Sequence, residues 1–175
     1  MSVAPALRAL RVNAVELLRQ PGAVRQVDVL VGPEVRHALE LSDPRISGDI
    51  VVTAEVVSSV DGLAVHGEVR VPWADECRRC LTPVGGEAVA AIDELFVAAE
   101  AVRDDELPLD GDQIDLAPLV REYALLELPD GPLCRPDCAG ICPVCGLDRN
   151  AGRCECDTSV RDLRWSALDD LRLDE

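Results

Sequence analysis

Cysteine is the residue type whose number and spacing point most directly to chemistry in this sequence. Six of the eight cysteines are clustered at Cys134, Cys138, Cys142, Cys145, Cys154 and Cys156, and the other two are Cys77 and Cys80. At 175 residues the chain can bury a hydrophobic core without disulfides. Because the N-terminal residues lack a secretory pattern and no apolar run approaches the roughly 18 residues of a membrane span, we expect a cytoplasmic protein. In that compartment, closely spaced cysteine pairs are typical of metal ligands or redox centres.

The segment Cys142-Pro-Val-Cys145-Gly146 has the pattern of a zinc knuckle. Its two-residue spacer lets both thiolates bind one ion, and Gly146 permits the tight turn that points backbone N–H groups at sulfur. Cys154 and Cys156 offer a second ligand pair after a loop that contains Asn150. The pattern therefore predicts tetrahedral coordination by four thiolates, which suits a structural zinc ion.

The spacing leaves three partitions of the ligands open. One site could draw four of the six clustered cysteines, a two-ion cluster could share thiolates, or Cys77 and Cys80 could complete a second site together with Cys134 and Cys138. We expect one or two zinc ions. An iron–sulfur cluster is the nearest alternative, but the characteristic ferredoxin spacings are absent from the sequence.

Catalysis finds little support in the sequence. A redox role for Cys77 and Cys80 would use Arg78 and Arg79 to lower a thiol pKa, but the surrounding residues predict a hairpin and not the βαβ unit of a thioredoxin-like site. The sequence has no Ser-His-Asp order, glycine-rich phosphate loop or His-Glu zinc-hydrolase motif. Four thiolates also leave zinc no open position for water, so we expect a protein that is not an enzyme.

The elements that must position these cysteines are mainly strands. Val27, Val29 and Val31 alternate with polar residues, and two β-branched runs at 46–60 and 63–71 flank the hairpin signal Asp61-Gly62. In the second run one face is apolar, which indicates a sheet with one solvated side; this face carries Leu63, Val65, Gly67, Val69 and Val71. Pro72 and Trp73 are expected to end that strand. Residues 84–99 predict one more strand or a bent pair.

Helices and a linker complete the predicted organisation. Asn13 and Glu16 resemble a capping box for a short helix, and the acidic residues 100–113 predict a solvated linker. A helix is predicted over residues 115–128, capped by Asp115 and stopped by Pro129; its apolar stripe is Leu116, Leu119, Val120, Tyr123 and Leu126. A last amphipathic piece carries Leu163, Trp165, Leu168 and Leu171.

These elements predict an α+β fold. It would consist of an antiparallel, barrel-like sheet from about Val24 to Val97, a packing helix, and a zinc-stapled C-terminal module. A boundary near Asp112 would divide the chain into a β-rich domain at 1–112 and a domain at 113–175 that holds the helix, the cysteine-rich module and the amphipathic piece.

The charge balance limits the partners. The chain has 33 acidic residues against 17 basic ones, all of them arginine, for a net charge of −16. Such a field repels nucleic acid and favours a basic protein partner, although solubility alone also explains acidity. RNA contact would need local arginines, and the candidates are Arg78, Arg79, Arg121 and Arg164, with Arg161 and Arg172 in the same dilute series as Arg164.

In order along the chain, the segments "ECRRCL", "IDLAPLVREYALLELP", "CAGICPVCGLDRN" with its flanking cysteines, and "VRDLRWSALDDL" resemble the YceD family of large-ribosomal-subunit RNA accumulation proteins. The cysteine block resembles the fuller, metal-competent form of that family, since some relatives carry only the upstream pair. The resemblance implies that zinc stabilises this form, whereas the helix and "CRRC" serve the shared activity.

The resemblance also implies a role in making or stabilising large-subunit ribosomal RNA, in a family often encoded next to a small large-subunit ribosomal protein. We therefore expect a ribosome biogenesis factor that binds a large-subunit precursor, its ribosomal RNA or a basic ribosomal protein, with no membrane and no small-molecule substrate. Two other classes stay open: a zinc-stapled adaptor for other proteins, and a redox- or zinc-responsive regulator.

Overall fold

The computed structural model describes residues 5–103, 105–158 and 164. After a 3-10 helix at Pro5–Leu10, the elements in chain order are β1 (Arg11–Asn13), α1 (Val15–Arg19), β2 (Val24–Val31), α2 (Pro33–Ala38), β3 (Ile50–Ser58), β4 (Leu63–Glu76), β5 (Pro83–Val97), β6 (Glu106–Pro108), β7 (Gln113–Asp115) and α3 (Ala117–Leu126), with a 3-10 turn at Ala99–Ala101. The apolar residues of the predicted amphipathic piece, Leu163, Trp165, Leu168 and Leu171, lie outside the described residues.

Five strands form the main sheet in the order β2-β3-β4-β5-β6, and β1 pairs with β7 in a separate two-stranded sheet. The pairings of β2 with β3 and of β3 with β4 are antiparallel, while β6 joins β5 in parallel. The predicted α+β fold with a mainly antiparallel sheet is confirmed. The predicted barrel-like closure is wrong for the described part of the chain, because β2 and β6 do not pair and the sheet stays open.

One face of the sheet forms the core, as the alternation in β3 and β4 predicts. In β4, Leu63, Val65, Val69 and Val71 are each almost completely buried. The strand was predicted to end at Pro72, but it continues to Glu76. The register with β3 stops at Arg70, and beyond it the carbonyl of Pro72 accepts a hydrogen bond from the N–H of Ser47, so the missing N–H of the proline breaks no β3 pairing.

Helix α3 packs on the same core through most of its predicted stripe. Leu116, Leu119 and Val120 are buried, and the carboxylate of Asp115 accepts a hydrogen bond from the N–H of Ala117 at 3.0 Å. Leu126 departs from the prediction, because its side chain is 70% exposed. The stripe therefore covers the core with its first two turns and extends beyond it at its end.

The acidic stretch at 100–113 is not simply a solvated linker. Strand β6 extends the main sheet, and β7 begins at Gln113 and pairs with β1. Leu109, between these strands, is buried in the core. Two backbone pairings and one apolar anchor thus hold a segment whose composition alone predicts exposure.

The chain forms two compact units. The first comprises Met1–Asp75 and Val84–Asp130, and the second comprises Glu76–Pro83 and Gly131–Glu175. The second unit thus joins the segment between β4 and β5, which holds Cys77 and Cys80, to the clustered cysteines. Helix α3 belongs to the same unit as the main sheet, whereas independent domains at 1–112 and 113–175 stay a prediction. Among the described residues, no helix is long and apolar enough to cross a membrane.

Candidate metal centres

The eight cysteines come together in two groups of four, both in the second unit. Cys77, Cys80, Cys134 and Cys138 form the first thiol group, and Cys142, Cys145, Cys154 and Cys156 form the second. Within each group all four Sγ atoms lie within 4.8 Å of one another, and each group could hold a metal ion. Of the three partitions that the spacing allows, this grouping matches the one in which Cys77 and Cys80 join Cys134 and Cys138.

The sulfur separations fit tetrahedral coordination of one ion. In the first group the Sγ atoms of Cys77 and Cys138 are 3.8 Å apart, and those of Cys80 and Cys134 are 3.5 Å apart. Zinc–sulfur bonds of about 2.3 Å would place the sulfurs of a regular tetrahedron about 3.8 Å apart. These separations are far too long for disulfides, whose sulfurs lie about 2.05 Å apart. All eight cysteines are free thiols.

Each group is built on a turn with the same hydrogen-bond pattern. In the second group the N–H of Cys142 donates to the carbonyl of Leu147 at 2.8 Å, and the N–H of Gly146 donates back to the carbonyl of Cys142 at 2.9 Å. In the first group Cys77 N–H donates to Thr82 and Leu81 N–H donates back to Cys77, both at 2.9 Å. The Cys-x-x-Cys pairs at 77–80 and 142–145 are therefore two copies of one knuckle.

The residue after the second cysteine of each knuckle has left-handed backbone geometry. Its φ is 73° at Gly146 and 60° at Leu81. Glycine adopts this geometry without a steric penalty, whereas a leucine pays roughly 1–2 kcal/mol. This difference explains why the sequence pattern identified the second knuckle more readily than the first.

Hydrogen bonds lower the pKa of Cys142 in the second group and of Cys77 and Cys80 in the first, where the side chain of Thr82 acts most on Cys80. At Cys142 the N–H groups of Cys145 and Val144 lower the pKa to about 6. At Cys77 burial acts to raise the pKa, but backbone N–H groups, first that of Cys134 and then those of Cys80 and Arg79, outweigh it and lower the pKa to about 6. The turns are therefore preorganised to stabilise thiolate, the form of cysteine that binds metal.

Neighbouring thiols oppose ionisation of the whole set. Hydrogen bonding with Cys80, followed by burial, raises the pKa of Cys134 to about 12. Hydrogen bonding with Cys145, followed by burial, raises the pKa of Cys156 to about 12. Like charges at these separations disfavour one another, so four thiolates in one group need a cation to compensate them.

The described part of the second unit has almost no apolar core. Among its described residues, the only hydrophobic side chains that are buried are those of Cys77, Cys138 and Cys142. The hydrophobic core cluster is built entirely from residues up to Leu128. The buried apolar surface of these described residues is too small to offset the entropy of ordering them, so this part of the chain needs another source of stability.

Asn150 connects the two groups, a feature that the spacing of the cysteines does not predict. It lies in the loop between Cys145 and Cys154 of the second group, but its side-chain amide donates to the Sγ of Cys138 in the first group at 3.4 Å. Its Oδ1 accepts a hydrogen bond from the N–H of Ala139 at 2.8 Å. Asn150 therefore orients a thiol of one group from the loop of the other.

The arginines proposed for RNA contact lie in different settings. Arg79 donates through Nη1 to the carbonyl of Cys138 at 2.9 Å, so its guanidinium supports the first thiol group. Arg78 is exposed, and its aliphatic stem lies against Gly131. Arg121 is exposed on α3, in the other unit, and Arg164 is exposed near the end of the described chain. Their contact with RNA stays a prediction.

Charge is divided unequally between the units. The described part of the second unit is close to neutral, with six arginines against five acidic residues: Arg78, Arg79, Arg135, Arg149, Arg153 and Arg164 against Glu76, Asp137, Asp148, Glu155 and Asp157. Most of the net charge of −16 therefore belongs to the first unit. A tetrathiolate zinc ion would add about two negative charges at each group.

Comparison with known proteins identifies relatives over most of the chain. The profile of the family described as "Large ribosomal RNA subunit accumulation protein YceD" matches residues 65–172, which include both thiol groups and α3. An uncharacterized protein of Mycobacterium tuberculosis is 36% identical over 146 residues, which cover 79% of this chain and 70% of that protein. An uncharacterized protein of Mycobacterium leprae is 34% identical over 135 residues, which cover 73% of this chain and 62% of that protein.

A more distant match carries a functional name. The protein named "Large ribosomal RNA subunit accumulation protein YCED homolog 1, chloroplastic", from Arabidopsis thaliana, is 30% identical over 60 residues, which cover 34% of this chain and 19% of that protein. No solved structure shows significant similarity to the chain.

Proposed function

Because the chain belongs to the YceD family of large ribosomal RNA subunit accumulation proteins, we propose that it is a ribosome biogenesis factor that supports accumulation of large-subunit ribosomal RNA. The family match over residues 65–172 is the observation that carries this proposal. The name of the Arabidopsis thaliana relative points in the same direction. The factor would act in the cytoplasm, where it meets large-subunit precursors.

The charge distribution supports binding to a basic ribosomal protein, either free or already placed on a precursor particle. Acidic residues dominate the first unit, and they attract a basic protein and repel bare phosphate. Contact with RNA would then be made by local arginines. Arg78 is the best placed of them, because its side chain is exposed, whereas the guanidinium of Arg79 donates a hydrogen bond to the carbonyl of Cys138.

Each thiol group would hold one structural zinc ion. The sulfur separations near 3.8 Å, the paired knuckles and the lack of a buried apolar core in the described second unit all support this assignment. Four thiolates fill the coordination sphere and leave no position for a water nucleophile, so the ions would order the chain without catalysing a reaction. Zinc measured by mass spectrometry against protein concentration should give two ions per chain, and one or none would contradict the assignment.

Sedimentation tests the proposed function directly. A lysate would be run through a sucrose gradient at low and moderate salt, and each fraction would be blotted for the protein. We expect migration with large-subunit precursors and not with mature ribosomes. Confinement to the top fractions at both salts would contradict the assembly role and favour the zinc-stapled adaptor.

Two charge reversals separate RNA contact from other effects. Arg78→Glu should shift the protein from precursor fractions to the top of the gradient if Arg78 touches phosphate. Arg153→Glu is the matched control, because Arg153 is also an exposed arginine of the second unit. Equal behaviour of the two variants would exclude a specific role for Arg78 and leave protein contact as the mode of binding.

A further inference from the structure

An open groove of about 610 Å³ lies in the first unit, between α3 and the strands β5 and β6. Its lining is largely apolar and includes Phe96, Leu107, Leu109, Leu119 and Leu126. Phe96, Leu109 and Leu119 are buried core residues and form its floor. The groove is therefore part of a packed scaffold, and no metal is needed to shape it.

Leu126 gives the groove an apolar lip. The side chain is 70% exposed, although it lies on the same helical stripe as the buried Leu119. Exposed prolines, Pro108 on β6 and Pro118 on α3, continue the apolar surface. Exposed apolar surface that is continuous with a concave pocket is typical of a site that receives another molecule.

Carboxylates surround this apolar surface, and no arginine or histidine of the described chain lines it. The acidic lining residues are Glu94, Asp110, Asp115 and Glu122. Arg11 compensates part of this charge, since its guanidinium lies 2.6 Å from Asp110 and 3.3 Å from Asp115. Glu94 accepts a hydrogen bond from the hydroxyl of Tyr123 at 2.7 Å, which fixes its position without neutralising it. Within the described chain, neither Glu94 nor Glu122 pairs with an arginine.

We propose that this groove docks a cationic amphipathic segment of a protein partner. Apolar side chains of the segment would lie on the floor and against Leu126, and its lysines or arginines would face Glu94 and Glu122. A nucleic acid is a poor occupant, because its phosphates would meet carboxylates. A second copy of this chain is also a poor occupant, because each copy has a net charge of −16.

The identification of the partner as a ribosomal protein rests on the proposed function. The inference that the groove binds a cationic amphipathic segment rests only on the residues that line it. Ribosomal proteins that bind RNA are rich in lysine and arginine, so their basic segments have the charge that the groove selects. The groove would then hold such a protein by a surface separate from the thiol groups.

Binding would be measured by fluorescence anisotropy with the full-length, zinc-loaded protein. The probe is a short labelled peptide of leucine and lysine with leucines at helical spacing, and the comparison peptide has serine in place of each leucine. Leu126→Asp and Glu122→Arg should each weaken binding of the leucine peptide about tenfold or more. Leu30→Asp and Glu34→Arg are the matched controls, because Leu30 and Glu34 are exposed and lie outside the groove. Equal affinity for the two peptides, or equal losses in the control variants, would overturn the proposal.

The absence of lysine from the sequence allows a second, direct test. A carbodiimide joins a carboxylate to an amine by an amide bond and takes up the water released. This chain has no lysine, so a crosslink that joins Glu94 or Glu122 to a lysine side chain must come from a partner. Incubation with proteins extracted from purified large subunits should give crosslinks at these carboxylates, located by mass spectrometry. Crosslinks confined to carboxylates outside the groove would overturn the proposal.

The two tests distinguish failure of the groove from failure of the proposed function. If the leucine peptide binds in the groove but the protein does not sediment with precursors, the docking surface stands and the ribosomal partner is wrong. The protein could instead sediment with precursors, while the variants Leu126→Asp and Glu122→Arg change neither its sedimentation nor its peptide binding. In that case the groove is not the docking surface.

Discussion

Replacing Asn150 with alanine should loosen the metal ion of the first thiol group, although Asn150 lies in the loop of the second. The amide of Asn150 donates to the Sγ of Cys138, and its Oδ1 accepts from the N–H of Ala139. Both contacts bear on how Cys138 is oriented as a ligand. Without them, the chain around Cys138 loses an anchor and a thiolate loses a hydrogen-bond donor.

The magnitude follows from the contacts that are lost. A hydrogen bond contributes about 0.5–1.5 kcal/mol net, so the two contacts near Cys138 amount to about 1–3 kcal/mol. Asn150 also accepts from Arg135 and donates to Asp148, each at 2.7 Å, but these contacts do not reach a thiol. With tenfold in affinity for each 1.4 kcal/mol, we expect metal affinity to fall about 10- to 100-fold, the usual effect of removing a residue that orients a ligand.

Pulsed alkylation is the assay, because it assigns the opening to particular cysteines. The zinc-loaded protein is exposed to a chelator, samples are treated briefly with N-ethylmaleimide, and mass spectrometry locates the modified thiols. In Asn150→Ala, the cysteines of the first group should react about 10 to 100 times sooner than in the unmodified protein. Asn150→Asp keeps an acceptor for Ala139 but removes the N–H donor and places a carboxylate near thiolates, so its effect should be at least as large.

Arg153→Ala is the matched control, since Arg153 lies in the same loop and is exposed. Its alkylation pattern should equal that of the unmodified protein. If Asn150→Ala opened only the second group, Asn150 would order its own loop alone, and the inferred connection between the groups would be refuted.

Three further predictions follow from other features of the structure. Leu81→Gly should raise the free energy of unfolding in urea by about 0.5–1 kcal/mol, because the relief of left-handed backbone strain exceeds the entropy cost of glycine. Gly146→Ala should lower the free energy of unfolding. A Leu81→Gly variant less stable than the unmodified protein would contradict the strain argument. Chelation should abolish protection from hydrogen exchange at 131–158 and leave that of the β3–β4 hairpin, whereas loss of protection in both would show that the sheet depends on the metal. The hydrogen bond to Glu94, followed by burial, raises the pKa of Tyr123, the only tyrosine, to about 12, so tyrosinate absorbance should titrate near there and shift lower in Glu94→Gln. This bond stabilises the fold fully below the unfolded pKa of about 10 and is lost as pH rises through about 12; titration near 10 in the folded protein would exclude it.

Local patterns accounted for most of the secondary structure. The alternation of β4 predicted its buried face, since the two-residue period of a strand places Leu63, Val65, Val69 and Val71 on one side. Asp115 was expected to cap α3, and the cap position is Leu116, one residue later, although the carboxylate of Asp115 still accepts a hydrogen bond from the N–H of Ala117. Such features depend on neighbours in sequence, and the residues themselves carry the information.

Predictions failed where a distant segment supplied the partner. Composition alone predicted exposure for residues 100–113, but β6 in the middle of this stretch pairs with β5, and Gln113 at its end pairs with β1. The strand β4 was expected to end at Pro72, and it continues because pairing with β3 has already ended there. Leu126 was placed in the core by its helical period, but it is 70% exposed at the lip of the groove between α3 and the strands β5 and β6.

By itself, the sequence determined that cysteine pairs with a two-residue spacer could bind metal, since the spacer alone sets how two thiols approach one ion. Which pairs combine is a matter of tertiary structure, because Cys77 and Cys80 meet Cys134 and Cys138 only after the chain has crossed β5 and α3 and returned. The contact of Asn150 with Cys138 and the acidic groove also depend on tertiary structure, since each brings together side chains that are distant in sequence. Short-range geometry is encoded in the spacing of residues, whereas long-range proximity depends on the packing of the whole chain.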